Sequence, residues 1–473
     1  MVFSSMFFVF VFLVLTYTVY IFGKTMKTRN IILLASSLIF YAWGGPTFVL
    51  LLCIMTFVCF AGAFIISGQK NEKGKNIACA LTVGICIAIL FIFKYCMFLF
   101  ENIYFIFKVS SPVPSITLPI GISFYTFQLI SYVVDVKRGQ VLPQKKYWVL
   151  LLYASLFHQC IAGPIVRYSD VNYDIEHRIM TPSDTSRGFS RFSVGLAKKA
   201  ILANGCAVIA DTLLPTDISI LSQKPSGAIL LGVFCYMLQI YLDFSAYSDM
   251  AIGMGLMIGF HYNENFNYPY IANSVTDFWR RWHISLSSFF RDYVYIPLGG
   301  NRVSVPRHIL NLFTVWALTG LWHGASWNYL FWGLYYFIFL VIEKYIVKPK
   351  KNPSISSRIP RTVLTLIIVF FGWMIFKFED TAELWQAIVC MFGSNGFTSL
   401  EVKTLFLNNI FFLTVCCLAC TPIVPKIKSM LCATKNGARA AAVMNTVFSV
   451  SLIVISAFML AGDSYNPFLY TRF

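Results

Sequence analysis

The chain has 473 residues, 58% of them hydrophobic and only 12% charged, with a mean hydropathy of +0.70. A soluble domain carries about a quarter charged residues, so this composition excludes a soluble enzyme and requires a polytopic membrane protein. The formal charge of +17 would suggest nucleic acid in a soluble fold. In a membrane protein Lys and Arg collect in cytoplasmic loops and suit an anionic leaflet, so membrane lipid is the expected partner and nucleic acid is not.

In chain order, the opening MVFSSMFFVFVFLVLTYTVYIFG lacks a charged leader and a small-residue cleavage site, and reads as a retained first span. A crossing helix needs about 20 apolar residues. Apolar runs predict spans at 6–20, 31–43, 48–66, 77–98, 120–134, 148–162, 201–214, 228–244, 250–260, 309–322, 329–347, 363–376, 405–420 and 447–460. Several are too short to cross at right angles and read as re-entrant or buried in the bundle. TLPIGISFYTFQ (117–128), with Pro119 and Gly121, is one of these.

Lys24, Lys27 and Arg29 follow the first run, the stretch 43–47 after the second is uncharged, and Lys70, Lys73 and Lys75 follow the third. This alternation predicts an outside N-terminus and basic cytoplasmic loops. Lys348, Lys350 and Lys351 with Arg358 and Arg361, and Lys426 and Lys428 with Lys435 and Arg439, fit the same side; Glu379, Asp380 and Glu383 fall outside. No soluble domain and no internal repeat interrupts the pattern, so a single membrane domain over 1–473 is expected. The thirteen cysteines lie mostly in apolar runs without a CxxC, as small buried hydrophobes rather than metal ligands.

Two polar stretches, 163–191 and 262–308, are expected not to cross. The second mixes Trp and Tyr with Arg, as in FWRRWHISLSSFFRDYVY, a composition suited to an amphipathic helix at the interface.

Of the six histidines, His177 and His308 stand in charged loops and read as solvated. His158 reads as a locally hydrogen-bonded packing residue, and His261 as a boundary. His323 differs, because it sits in the apolar run ALTGLWHGASWNYLFWGLYY (317–336). An ionisable group at membrane depth is costly and usually faces a cavity or pathway. It is either a satisfied histidine bridging two helices or a base. Gly320, Gly324, Ala325 and Ser326 leave room beside the ring, and Trp322 and Trp327 are expected to wall it. A neutral imidazole there can accept a hydroxyl proton. No HxxxH or acidic partner lies at ligand spacing, so no metal is expected.

The motifs YAWGGP (41–46), PIGISFYTFQ (119–128), AGPIVRYSD (162–170), LDFSAYSDMAIGMG (242–255), NFNYPY (265–270), DFWRRWHISLSSFFRDYVYIPLGGNR (277–302) and LTGLWHGASW (318–327) occur in this order. With the MVFSS opening and the YNPFLYTRF tail (465–473), they resemble the membrane-bound O-acyltransferases (MBOAT), in the bacterial alginate O-acetylation branch, nearly end to end. The resemblance implies an all-α ring of tilted transmembrane helices around a central tunnel, with re-entrant and interfacial helices. It places the catalytic part at about 118–346 and matches His323 to the family's catalytic histidine, with His283 at the paired upstream position. Asn273, Asp277, Arg280, Arg281 and Trp322 become candidates for binding the donor or tuning the site.

The implied reaction takes an acyl group from a cytosolic thioester, in this branch acetyl-CoA, for O-acetylation of an extracytoplasmic polysaccharide at the bacterial cytoplasmic membrane. The acyl group passes directly or through an extracytoplasmic SGNH-type partner, with no bound cofactor. Two alternatives stay open: D-alanyl transfer from a carrier protein to teichoic acid, and a non-enzymatic lipid or polymer transporter.

Overall fold

The computed structural model describes residues 3–108, 116–161, 163–348, 354–393, 395–462 and 468–469. Residues 1–2 of MVFSS, Ala162, residues 349–351 of the basic cluster, residues 465–467 and 470–473 of the tail, and the side chains of Lys435 and Arg439 lie outside that description. All regular elements among the described residues are helical. Eight are long and apolar enough to cross a membrane: Pro46–Gly68, Glu72–Lys94, Pro182–Leu213, Ser226–Met257, Trp327–Val347, Ser356–Lys377, Leu400–Ala419 and Ala440–Ala461.

Two of these depart from the sequence expectation. The runs 228–244 and 250–260 are one helix, Ser226–Met257, and the polar stretch 163–191 is helical from Pro182 onward as the start of Pro182–Leu213. One reason covers both. Asp243 and Asp249 lower the hydropathy of the later helix, but each meets a cation from the earlier one. Lys199 Nζ stands 2.7 Å from Asp243, and the Arg191 guanidinium contacts Asp249 at 3.0 Å and Glu264 at 2.5 Å. Paired ions can stay in a low-dielectric bundle where single ones cannot, so neither helix has to end at its charge. The run 309–322 forms the helix Val305–His323, which carries Arg307, His308 and Asn311 in its first turns and is not among the eight.

The chain divides into two compact units, one of residues 1–192, 247–264 and 460–473, the other of residues 193–246 and 265–459. In the first, helices start where the local chemistry directs. Thr25 and Asn71 accept from the backbone N–H groups of Thr28 and Gly74, and Pro46 opens the helix Pro46–Gly68. Phe8, Phe12, Phe40 and Phe157 form an aromatic core with centroids 5.4–6.2 Å apart. The helix Ile122–Lys137, which begins at left-handed Gly121, is buried on nearly every face. A helix buried all round has no amphipathic stripe, and its polar residues Ser123, Thr126, Gln128, Ser131 and Asp135 are buried with the rest. His158 is buried and bonds Tyr262, 2.8 Å away and 104 residues on, so its partner is distant rather than local.

In the second unit Val305–His323 and Trp327–Ile342 form a tight helical hairpin. A Cβ at Gly320 would strike the Tyr329 carbonyl oxygen, and one at Gly333 the Trp316 carbonyl oxygen. Small residues let membrane helices approach this closely. Gly372 admits the Tyr336 hydroxyl in the same way, seating Ile355–Lys377 against the hairpin. Glu343, itself buried, accepts from the N–H groups of Val275 and Thr276, holding a carboxylate at the N-terminus of the helix Val275–Arg281. His308 is likewise buried, between the hydroxyls of Tyr295 (2.7 Å) and Tyr345 (2.5 Å), and is not the solvated loop residue its neighbours suggest.

Candidate active site

His323 closes the helix Val305–His323. The next residue, Gly324, is extended, and Tyr329 folds its ring into the space that a Cβ on Gly324 would need. The room beside His323 that the small residues create is therefore filled by Tyr329, through its carbonyl at Gly320 and its ring at Gly324. His323 is 2% exposed. Its walls are Trp322 at 4.9 Å, Trp332 at 4.9 Å and Phe376 at 5.2 Å between ring centroids. Trp327, the expected wall, is 46% exposed and lies near Phe331 instead. Helix periodicity explains the exchange: Trp332, not Trp327, lies on the face of Trp327–Ile342 that packs on Val305–His323.

His283 belongs to the same unit. The stretch read as one interfacial helix is broken there, into Val275–Arg281 and Ile284–Phe290, with His283 left-handed at φ 44° between them. A left-handed histidine is uncommon and is held by a backbone bridge. Ile284 N–H donates to the Asn265 carbonyl at 2.9 Å, and Asn267 N–H donates to the Arg281 carbonyl at 2.9 Å. The imidazole, 1% exposed, lies against Phe244 at 4.7 Å and Trp322 at 5.8 Å. Burial holds its pKa well below the ordinary histidine range, so the ring is neutral at physiological pH. Trp322 therefore touches both candidate histidines, and the structure brings His283, Trp322 and His323 together.

The remaining candidates form a separate local cluster. Asp277 accepts from the Asn273 N–H at 3.4 Å and from Arg281 Nε at 2.9 Å, while Arg281 also donates to the Asn267 carbonyl. Asn273, Asp277 and Arg281 thus shape the turn into His283, and Arg280 projects as an exposed cation.

Three features of this region escape a sequence reading. Asn265, inside the NFNYPY motif, contacts His283 Nδ1 at 3.2 Å. Lys199 and Asp243 form a buried ion pair, and Asp243 directly precedes Phe244, whose ring lies on His283. The indole nitrogens of Trp279 and Trp332 and the Tyr336 hydroxyl are buried without a hydrogen-bond acceptor among the described residues, in rings 4.8–5.5 Å apart. Buried donors of this kind can stabilise charge developing on a substrate oxygen. Among the described residues no three His, Cys, Asp or Glu side chains converge as a metal-ligand set.

A helical membrane protein with two buried histidines in an aromatic enclosure suits proton-transfer chemistry away from bulk water. The family model of the MBOAT, membrane-bound O-acyltransferase, family matches residues 36–379. A probable alginate O-acetylase AlgI of Azotobacter vinelandii is 38% identical over 424 residues, which cover 86% of this chain and 83% of that protein. A protein of the same description from Pseudomonas putida is 36% identical over 496 aligned positions, 100% of both chains. The peptidoglycan O-acetyltransferase of Helicobacter pylori is 31% identical over 448 residues, 87% of this chain and 84% of that one. The chain belongs to the membrane-bound O-acyltransferase family. It is a multi-pass membrane acyltransferase.

Proposed function

We propose that the protein takes an acetyl group from cytosolic acetyl-CoA and delivers it, directly or through an extracytoplasmic SGNH-type partner, to hydroxyls of an extracytoplasmic polysaccharide. The relatives described as alginate and peptidoglycan O-acetylating proteins support acetyl as the group and polysaccharide as the acceptor class. The observation that carries the site assignment is the shared contact of His283 and His323 with Trp322 inside a desolvated aromatic enclosure.

In this reading the acceptor hydroxyl attacks the thioester carbonyl while the His323 imidazole takes its proton. The tetrahedral oxyanion is stabilised by a buried donor such as the Trp332 indole N–H. A C–O bond forms, the C–S bond breaks, and the departing thiolate recovers the proton from the imidazolium. His283, neutral and packed on the same indole, is the paired histidine, and exposed Arg280 meets anionic groups of the donor. The protein lies in the cytoplasmic membrane with its N-terminus outside, which puts the donor on the side of the basic loops.

The test is His323→Ala, with yield and melting temperature measured beside acetyl transfer from acetyl-CoA. Loss of a general base costs about 10²–10⁴-fold in rate, so a stable, well-expressed variant with that loss is expected. A stable variant that still transfers acetyl groups at the parent rate removes His323 from the mechanism. A parent protein that ignores acetyl-CoA but accepts a charged aminoacyl carrier protein moves the donor assignment to D-alanyl transfer.

A further inference from the structure

We infer that Asn265 is a positioning residue that fixes the tautomer of His283, holding the proton on Nδ1 and turning Nε2 into the basic nitrogen of the ring. The inference rests on the reading of His283 as part of the acyl-transfer site.

The Asn265 side-chain amide has an oxygen end and a nitrogen end, and one of them faces His283. An Asn amide can be placed either way round, and only its partners decide. Here Oδ1 receives the backbone N–H of Ser285 at 3.2 Å. A backbone N–H can only donate, so the atom facing it must be the carbonyl oxygen. The Ser285 hydroxyl lies 2.8 Å from the same oxygen, which spends its single proton there.

His283 Nδ1 lies 3.2 Å from that oxygen and 3.4 Å from the Ser285 Oγ. Both neighbours present lone pairs to it. A lone pair on Nδ1 would repel two acceptors, whereas an N–H satisfies them. Nδ1 is therefore the protonated nitrogen, and in a neutral ring Nε2 must carry the lone pair.

The arrangement is local in space but not in sequence. Asn265 and Ser285 are 20 residues apart, joined because the Asn265 carbonyl accepts from Ile284 N–H. That backbone bond stays when the side chain is replaced, so the turn keeps it while losing the bond from Ser285 N–H to the side-chain oxygen. Outer-shell acceptors that orient a functional histidine are typically worth 10–100-fold in affinity or activity.

The experiment compares the parent with His283→Ala, Asn265→Leu, Asn265→Asp and Ser285→Ala, each full-length and in membranes. Acetyl transfer from acetyl-CoA is resolved into kcat and KM, with yield and melting temperature alongside. Asn265→Leu keeps the volume but removes the acceptor, and kcat is expected to fall about 10- to 100-fold with KM near the parent value. Asn265→Asp restores an oxygen acceptor for both His283 and Ser285 and should recover most of that loss, while the melting temperature of Asn265→Leu, which a purely structural role would lower, should stay near the parent value. Ser285→Ala retains its backbone N–H and should lose only a few-fold. Asn265→Leu turning over at the parent rate while His283→Ala is impaired overturns the inference and leaves the His283 reading intact, as does folded Asn265→Asp no better than Asn265→Leu. A fully active His283→Ala instead defeats the reading of His283 itself, and the inference with it.

Discussion

Lys199 Nζ stands 2.7 Å from Asp243 Oδ1, with the two side chains 4% and 2% exposed, one residue before the Phe244 ring that lies against His283. A charge pair so deep gains from attraction what it loses in desolvation only while both members are present. It ties Pro182–Leu213 to Ser226–Met257 at the depth of the site.

Removing one member of that pair is therefore worse than removing both. Breaking a buried pair costs about 3–5 kcal/mol, whereas replacing both ions by apolar residues is often neutral. Asp243→Leu and Lys199→Met should each lower yield and melting temperature, and the double variant should recover stability. Melting curves of the three proteins in detergent decide the matter, and a double variant no better than the singles would refute it.

The close crossing of the hairpin makes a second, sharper demand. A Cβ on Gly333 would meet the Trp316 carbonyl oxygen, which is backbone and cannot rotate away. Overpacking typically costs about 1–3 kcal/mol. Gly333→Ala should lose stability and activity together, unlike His323→Ala, which should lose activity alone. Comparing melting temperature with turnover for the two variants separates packing from chemistry.

Stability should also depend on pH through His283. Burial lowers its pKa in the folded protein, while an unfolded histidine titrates near 6.5. Below about 6.5 the unfolded chain binds a proton that the folded ring does not, so this contribution is intact above 6.5 and is lost as pH falls. The melting temperature of the parent should drop from pH 7 to pH 5, and His283→Gln should drop less. An equal fall in both proteins would contradict the assignment.

The orientation can be read with impermeant thiol reagents after replacing the exposed Cys432. Gly45 makes a poor site, since a Cβ there would lie 2.6 Å from the Phe48 ring, whereas Thr47 and Lys73 are exposed. Thr47→Cys should label from outside and Lys73→Cys should not. The reverse pattern would invert the topology and put the donor on the wrong side.

The class of protein follows from composition alone, because few soluble folds tolerate so little charge. His323 stands out in the chain because a polar group in an apolar run is costly and thus conspicuous, whereas His283 is singled out by the motif that carries it. The break at Gly121 is also legible beside Pro119, but Gly320 and Gly324, which read as room beside the His323 ring, instead admit Tyr329. Hydropathy could not show that Ser226–Met257 is one helix, because the cations that neutralise Asp243 and Asp249 come from residues some fifty positions earlier. Nor could it show that Trp332 and Phe376, rather than Trp327, enclose His323, or that His308 is clasped between two tyrosines. The contact of Asn265 with His283 is of the same kind. Local pattern determines where a helix forms and which residues are chemically capable. Which of them meet depends on helix faces and long-range packing, and only the tertiary structure decides that.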